Sequence, residues 1–226
     1  MLQGFCGFGF SLLALPLLCL YTPAQWAVPV IAVSSLVLNT MVLSTSWRTL
    51  RLRGFLPLAL AGIAFTPLGA LMLGSLPDVT VRVLIGITVT TASLLSLSKW
   101  APRLKRTPVG MGVTGAISGI FNGLTTFSGP PAVIYLTATN ADKDSFRGNL
   151  SALFLVLSIT AIPSFVAAGI TTPANLFTAA LYLPAAAVGG IIGIHLAKVT
   201  DSSAFRRKAL VILSLLGVYG AVQALA

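Results

Sequence analysis

Residues 107–141 read TPVGMGVTGAISGIFNGLTTFSGPPAVIYLTATNA and carry no formal charge. Basic residues flank this stretch on both sides, with Lys105 and Arg106 before it and Lys143 and Arg147 after it. Basic loops beside membrane spans usually stay in the cytoplasm. If both flanks are cytoplasmic, the stretch must enter the membrane and return. We therefore predict a re-entrant hairpin or two short spans here.

The composition is that of an integral membrane protein. Of the 226 residues, 56% are apolar and 8% are charged, and the mean hydropathy is +0.98. A soluble domain has about 25% charged residues. The net charge of +10 lies mainly in short loops between apolar segments. We interpret it as orienting the spans, and we expect no binding of nucleic acid.

Several apolar segments approach or exceed the roughly 20 residues that a spanning helix needs. They cover residues 1–20, 26–46, 54–76, 80–98, 108–138, 148–168, 174–196 and 206–225. The N-terminus lacks the positive region of a secretory signal, so we take residues 1–20 as part of the membrane domain. The loops are too short for a soluble domain. We predict an all-α polytopic membrane protein with one transmembrane domain over residues 1–226.

The two halves of the chain resemble each other. Gly4 and Pro16 match Gly119 and Pro131 at an offset of 115 residues. We predict a first repeat over residues 1–98, a basic cytoplasmic loop over 99–107 and a second repeat over 108–226. Each repeat would have about four segments and would start with a broken or re-entrant one.

Loop charges predict that the repeats are inverted. The loop 47–53 is basic, whereas its counterpart 169–173 is uncharged. The loop 21–25 has no Lys or Arg, whereas its counterpart 139–147 has the basic residues Lys143 and Arg147. The basic residues thus lie in non-equivalent loops of the two halves. This is expected for inverted-topology repeats. A plain eight-helix threading is the second choice, because it places two of the basic loops outside.

The segment Ser128-Gly129-Pro130-Pro131 is the strongest candidate for a binding site. Proline removes an amide donor and disfavours helical geometry in the residue before it, so a helix should break here. A broken backbone at membrane depth survives only when it is buried in protein or lines a wet cavity. Freed amides and a positive helix end then bind anions. We favour this interpretation over a simple packed kink.

Other polar and small residues complete the predicted substrate site. For Gly115 and Gly119 we favour helix packing, and for Asn39 a role between helices and contact with substrate are equally favoured. For His195, Lys143 and Arg147 we favour interfacial or orienting roles. The predicted substrate-binding residues are Gly7, Gly9, Ser11, Pro16, Asn39, Asn122, Gly123, Thr126, Ser128, Gly129, Pro130, Pro131 and Asn149.

No pattern of catalytic residues is present. The spans contain no Ser/His/Asp arrangement, no cluster of metal ligands and no phosphate-binding loop. Cys6 and Cys19 are best interpreted as buried thiols. Apart from His195, the spans hold no acid or histidine for a proton relay. We therefore expect neither an enzyme, nor a metal site, nor a cofactor.

The order and spacing of three motifs resemble the sulfite exporter TauE/SafE family. They are the start from Gly4 to Pro16, its second copy at Gly115–Pro131, and Phe146-Arg147-Gly148-Asn149. The resemblance covers nearly the whole chain and implies transport of sulfite, organosulfonates and similar anions across the bacterial inner membrane. The sequence departs from the pattern of the family at two places, and both bear on which anion is the substrate. Ser128-Gly129-Pro130 stands where the family often has Gly-Gly-Pro, and the first motif begins almost at Met1.

The residues and the resemblance together predict a transporter that exports a small sulfur-containing anion from the bacterial cell. Its partners would be that anion and the lipid bilayer, and a homodimer is among the arrangements that the sequence leaves open. The alternatives are an anion channel of the same architecture and a non-transporting membrane scaffold or assembly protein. A scaffold should tolerate Ser128→Ala and Asn122→Ala, whereas a transporter should lose flux.

Overall fold

The computed structural model describes residues 9–47, 55–98, 105–139, 143–199 and 202–225, and these contain α-helices and no strand. In chain order the helices are α1 (Phe10–Cys19), α2 (Ala24–Ser46), α3 (Leu56–Ser75), α4 (Asp78–Ser98), α5 (Pro108–Thr125), α6 (Gly129–Ala138), α7 (Lys143–Ala167), α8 (Pro173–Val199) and α9 (Ser202–Leu225). The all-α prediction is confirmed.

Five described helices contain stretches that are long and apolar enough to cross a membrane. These stretches are Ala24–Ser44, Leu56–Ser75, Asp78–Leu95, Gly148–Ala167 and Pro173–Ile192. Large apolar side chains on α8, such as Phe177 and Leu181, are mostly exposed on the surface of the protein. Because a bilayer would cover such a surface, the pattern is that of a multi-pass membrane protein.

The segment 108–138 is broken and returns on itself, as predicted. α5 ends at Thr125 and α6 begins at Gly129. Near the end of α6, the hydroxyl of Tyr135 accepts from the backbone N–H of Thr107 over 3.2 Å, at the start of α5. The end of the returning arm therefore lies beside the beginning of the first.

Contacts between loops support the same threading. At the start of α2, the backbone N–H of Ala24 donates to Asp78 Oδ1 on α4 over 2.6 Å. The Nδ2 of Asn175 at the start of α8 donates to Trp26 O over 3.4 Å. The α1–α2, α3–α4 and α7–α8 connections thus meet at one end of the bundle. The plain eight-helix threading is wrong, because it would place the α7–α8 connection at the opposite end.

Glycines bring α3 and α5 into backbone contact. A Cβ atom added to Gly115, Gly119 or Gly123 of α5 would lie 2.1–2.3 Å from a backbone oxygen of α3. Gly69 of α3 is equally close to the backbone of α5. Small residues at this spacing let two membrane helices approach until their backbones touch. The packing role favoured for Gly115 and Gly119 is confirmed.

Some helix bounds of the first half match helix bounds of the second half when a constant number is added to their residue numbers. An offset of 119 residues carries Phe10–Cys19 onto Gly129–Ala138, and the first residue of α2 onto the first residue of α7. The same offset aligns Gly4 with Gly123 and Phe8 with Phe127, so it fits the chain better than the offset of 115. The pairs α2–α8 and α3–α7, which a repeat would make equivalent, are both in contact. The inverted orientation of the repeats stays a prediction.

Candidate functional site

The backbone breaks in a defined way after α5. The N–H of Thr126 donates to Asn122 O over 2.8 Å, and the N–H of Phe127 donates to Phe121 O over 3.3 Å. The first bond is that of the αL cap motif, in which the left-handed position at the helix end usually belongs to glycine. Here Thr126 occupies it, with φ of 60°. A β-branched residue in this conformation costs of order 1–3 kcal/mol and points to a functional constraint.

The start of α6 leaves backbone donors without acceptors. Ser128 precedes the helix, Gly129 opens it, and Pro130 follows without an N–H group. Among the described residues, no acceptor takes the amide hydrogen of Ser128 or Gly129. The first turn of a helix carries a partial positive charge in addition to such donors. Both features favour a negatively charged ligand at this helix end.

A second helix N-terminus faces the same space. α1 begins at Phe10, and Gly9 before it has φ of 105°, a left-handed conformation that glycine adopts without strain. Gly9, Ser11 and Leu12 from this end line a cavity together with Ser128 and the residues around it. The two short helices therefore direct their N-termini at one site.

Two long helices close the sides of the cavity. α2 contributes Ala32, Ser35 and Asn39, and α7 contributes Phe154, Ser158 and Ala161. Both sets follow helical spacing, so each forms one stripe. The described cavity has about 40 Å³ open to the centre of a water molecule. Since one water needs about 10–15 Å³ by this measure, the space holds a few waters or a small anion.

Hydrogen bonds tie the walls together without using all their polar groups. The Nδ2 of Asn39 donates to Ser158 Oγ over 2.9 Å, which joins α2 to α7. The Nδ2 of Asn122 donates to Leu157 O over 2.9 Å, which joins α5 to α7. The hydroxyls of Ser11 and Ser35 lie 3.0 Å apart. Thr126 Oγ1, by contrast, is buried without a partner among the described residues.

The cavity is polar but formally neutral. None of its described lining residues carries a charged side chain. Positive potential comes instead from the two helix N-termini and from the N–H groups that have no acceptor in the described part of the chain. Transporters of small ions commonly place broken helices with such ends at their binding site.

The comparison with protein families agrees with this architecture. A family model described as Sulfite exporter TauE/SafE matches residues 1–220. The chain belongs to the TauE/SafE family. The protein is therefore a membrane transporter and not an enzyme. Neither the comparison with curated proteins nor that with solved structures found a match.

The cavity of this TauE/SafE protein gathers most of the predicted substrate-binding residues. Those in its lining are Gly9, Ser11, Asn39, Asn122, Thr126, Ser128, Gly129 and Pro130. They come from both halves of the chain, from Gly9 to Asn39 and from Asn122 to Pro130. Their part in substrate binding stays a prediction.

The other predicted residues lie elsewhere. Gly123 is in the α3–α5 contact, and Pro131 follows the cavity-lining turn inside α6. Pro16 lines a smaller cleft with Cys19 and Arg82. Asn149 is buried in α7 and has a bonding partner. Gly7, together with the side chains of Lys143, Arg147 and His195, lies outside the described residues.

Two polar residues of the cavity were not predicted, Ser35 and Ser158. A signal for both was present in the sequence. Ser35 lies one helical turn before Asn39, and Ser158 corresponds to Asn39 at the offset of 119 residues. Phe127, Phe154 and the alanines of the lining gave no such signal, because they look like any apolar residue of a span.

Proposed function

We propose that this TauE/SafE transporter exports a small sulfur-containing anion, sulfite or an organosulfonate, across the bacterial inner membrane. The observation that carries the proposal is the meeting of two helix N-termini at a neutral polar cavity. Backbone amides and hydroxyls there would replace the hydration shell of the anion. The partners of the chain are then the anion and the lipid bilayer, without nucleic acid, and a homodimer is compatible with the proposal.

The membrane potential supplies the driving force in this proposal. The connections that meet at one end of the bundle hold few charges. The segments 47–53, 99–106, 139–147 and 198–208 join the opposite helix ends and hold 13 of the 14 Lys and Arg residues. By the positive-inside rule the basic end is cytoplasmic. A cell interior at negative potential drives a monoanion outward by about 2.3 kcal/mol per 100 mV. Export then needs no proton relay inside the bundle.

Purified protein in lipid vesicles tests the proposal. Vesicles loaded with labelled sulfite or methanesulfonate receive an inside-negative potential from a potassium gradient and valinomycin. We expect protein-dependent efflux that rises with the potential. Vesicles without protein measure leakage of sulfur dioxide. Efflux that is the same at every potential would contradict the electrostatic mechanism.

Two variants separate a role in transport from a role in folding. Ser128→Ala removes a hydroxyl from the cavity lining, and we expect reduced flux with an unchanged elution profile. Ser75→Ala is the matched control, because its exposed hydroxyl bonds only within α3. Counter-flow would distinguish a carrier from an anion channel, since only a carrier couples the movement of one substrate molecule to the return of another.

A further inference from the structure

The charge that the cavity can neutralise is limited. A helix N-terminus carries roughly half an elementary positive charge. The N-termini of α1 and α6 together therefore offset about one negative charge. The described lining offers no charged side chain, and the sequence of residues 1–8 has none to add.

A second negative charge would be buried without compensation. Phe127, Phe154 and Ala161 supply part of the wall, so a bound ligand loses part of its hydration shell. Moving an unpaired ion from water into such surroundings is very costly, which usually forces the group to take up a proton instead. The cavity thus favours singly charged ligands.

Thr126 is independent evidence for a ligand that accepts hydrogen bonds. The residue is 8% exposed and belongs to the cavity wall. Its hydroxyl has no partner among the described residues. The offset of 119 residues aligns it with Gly7, so the other half of the sequence has the residue that a left-handed turn favours. The strained threonine keeps a buried donor that a glycine would lack.

We propose that the cavity binds its substrate as a monoanion, with the N-termini of α1 and α6 offsetting the single charge and the Thr126 hydroxyl donating to an oxygen of the ligand. This inference rests on the proposed function of anion export. It selects hydrogensulfite and alkylsulfonates and rejects the sulfite and sulfate dianions. Hydrogensulfite leaves with its own proton, so no residue of the protein changes its protonation state.

The charge of the ligand can be tested by binding to the detergent-solubilised full chain. The midpoint of thermal unfolding is measured with methanesulfonate, sulfate and sulfite at constant ionic strength, one pH unit below and one above the second ionisation of sulfite. We expect equal stabilisation by methanesulfonate at both pH values and none by sulfate. Sulfite should bind about tenfold more weakly at the higher pH, because about a tenth of it is then monoanionic.

Variants at Thr126 test whether its hydroxyl donates a hydrogen bond to the ligand. Thr126→Val replaces the hydroxyl with a methyl group and keeps the shape of the side chain. It should weaken methanesulfonate binding about tenfold to a hundredfold, because this is what losing a hydrogen bond to a charged group costs. Thr126→Gly should show the same loss while its unfolding midpoint without ligand is unchanged or higher, because the strain is relieved. Thr126→Ser should restore binding. Thr125→Val is the matched control, since its hydroxyl bonds within α5.

The possible outcomes distinguish the two proposals. Stabilisation by sulfate, or by sulfite equally at both pH values, would overturn the monoanion inference and leave anion export standing. Normal methanesulfonate binding by Thr126→Val would overturn the role of the hydroxyl. Failure of every anion to stabilise the protein, together with absent flux in vesicles, would remove the proposed function itself.

Discussion

α5 presents two neighbouring stripes with opposite packing. Gly115, Gly119 and Gly123 touch the backbone of α3 and leave no room for a methyl group. Asn122 on the adjoining stripe, and Thr126 just after the helix ends, border a cavity. One helix thus combines a rigid contact with a polar space. The comparison indicates that the tight contact holds the strained turn at the end of α5 in place.

Substitutions in the glycine contact between α3 and α5 should reduce stability more than substitutions on the cavity side of α5. Gly119→Ala places a Cβ atom 2.3 Å from Gly62 O, and backbone cannot move aside as a flexible side chain can. We expect a loss of about 1–3 kcal/mol in unfolding free energy, as for other overpacked sites. The measurement is the thermal unfolding midpoint of the purified protein.

Gly112→Ala is the matched control in the same helix. A Cβ atom there meets nothing within 4 Å. The variant should be neutral or gain up to about 1 kcal/mol from helix propensity. If both variants lost the same stability, the α3–α5 contact would not be the cause.

A negative charge added to the cavity lining should abolish binding without destabilising the protein, in contrast to a substitution in the glycine contact. Ser11 lies in the first turn of α1 and in the cavity lining. The carboxylate of Ser11→Asp would interact favourably with the helix dipole, by about 0.3–2 kcal/mol. It would also occupy the place of the anion. We therefore expect a stable protein that methanesulfonate no longer stabilises and that transports none.

The uncharged variant Ser11→Asn separates charge from size. It adds a side chain of the same shape without the negative charge, so part of the flux should remain. Equal loss in both variants would indicate that size alone blocks the cavity.

The sequence was sufficient for the broken segment and the position of its break. Proline chemistry at Pro130 and the basic residues on both sides of 107–141 depend only on local sequence, so they can be interpreted without a structure. The pairing of α3 with α5 and the presence of Ser35 and Ser158 in the cavity depend on which helix faces reach each other across the bundle. Gly123 shows the limit, because glycine at a break and glycine at a helix contact look the same in sequence.

The smallest effect is expected at the bond between Asn39 and Ser158, which joins α2 to α7 across the cavity. Hydrogen bonds between membrane helices contribute about 0.6 kcal/mol on average. A double-mutant cycle of Asn39→Ala, Ser158→Ala and the double variant should give a coupling energy near this value in unfolding. If the pair also contacts the anion, the same cycle measured on methanesulfonate binding should show coupling as well. Coupling in stability without coupling in binding would assign Asn39 to helix packing alone, which is the alternative that its sequence context left equally open.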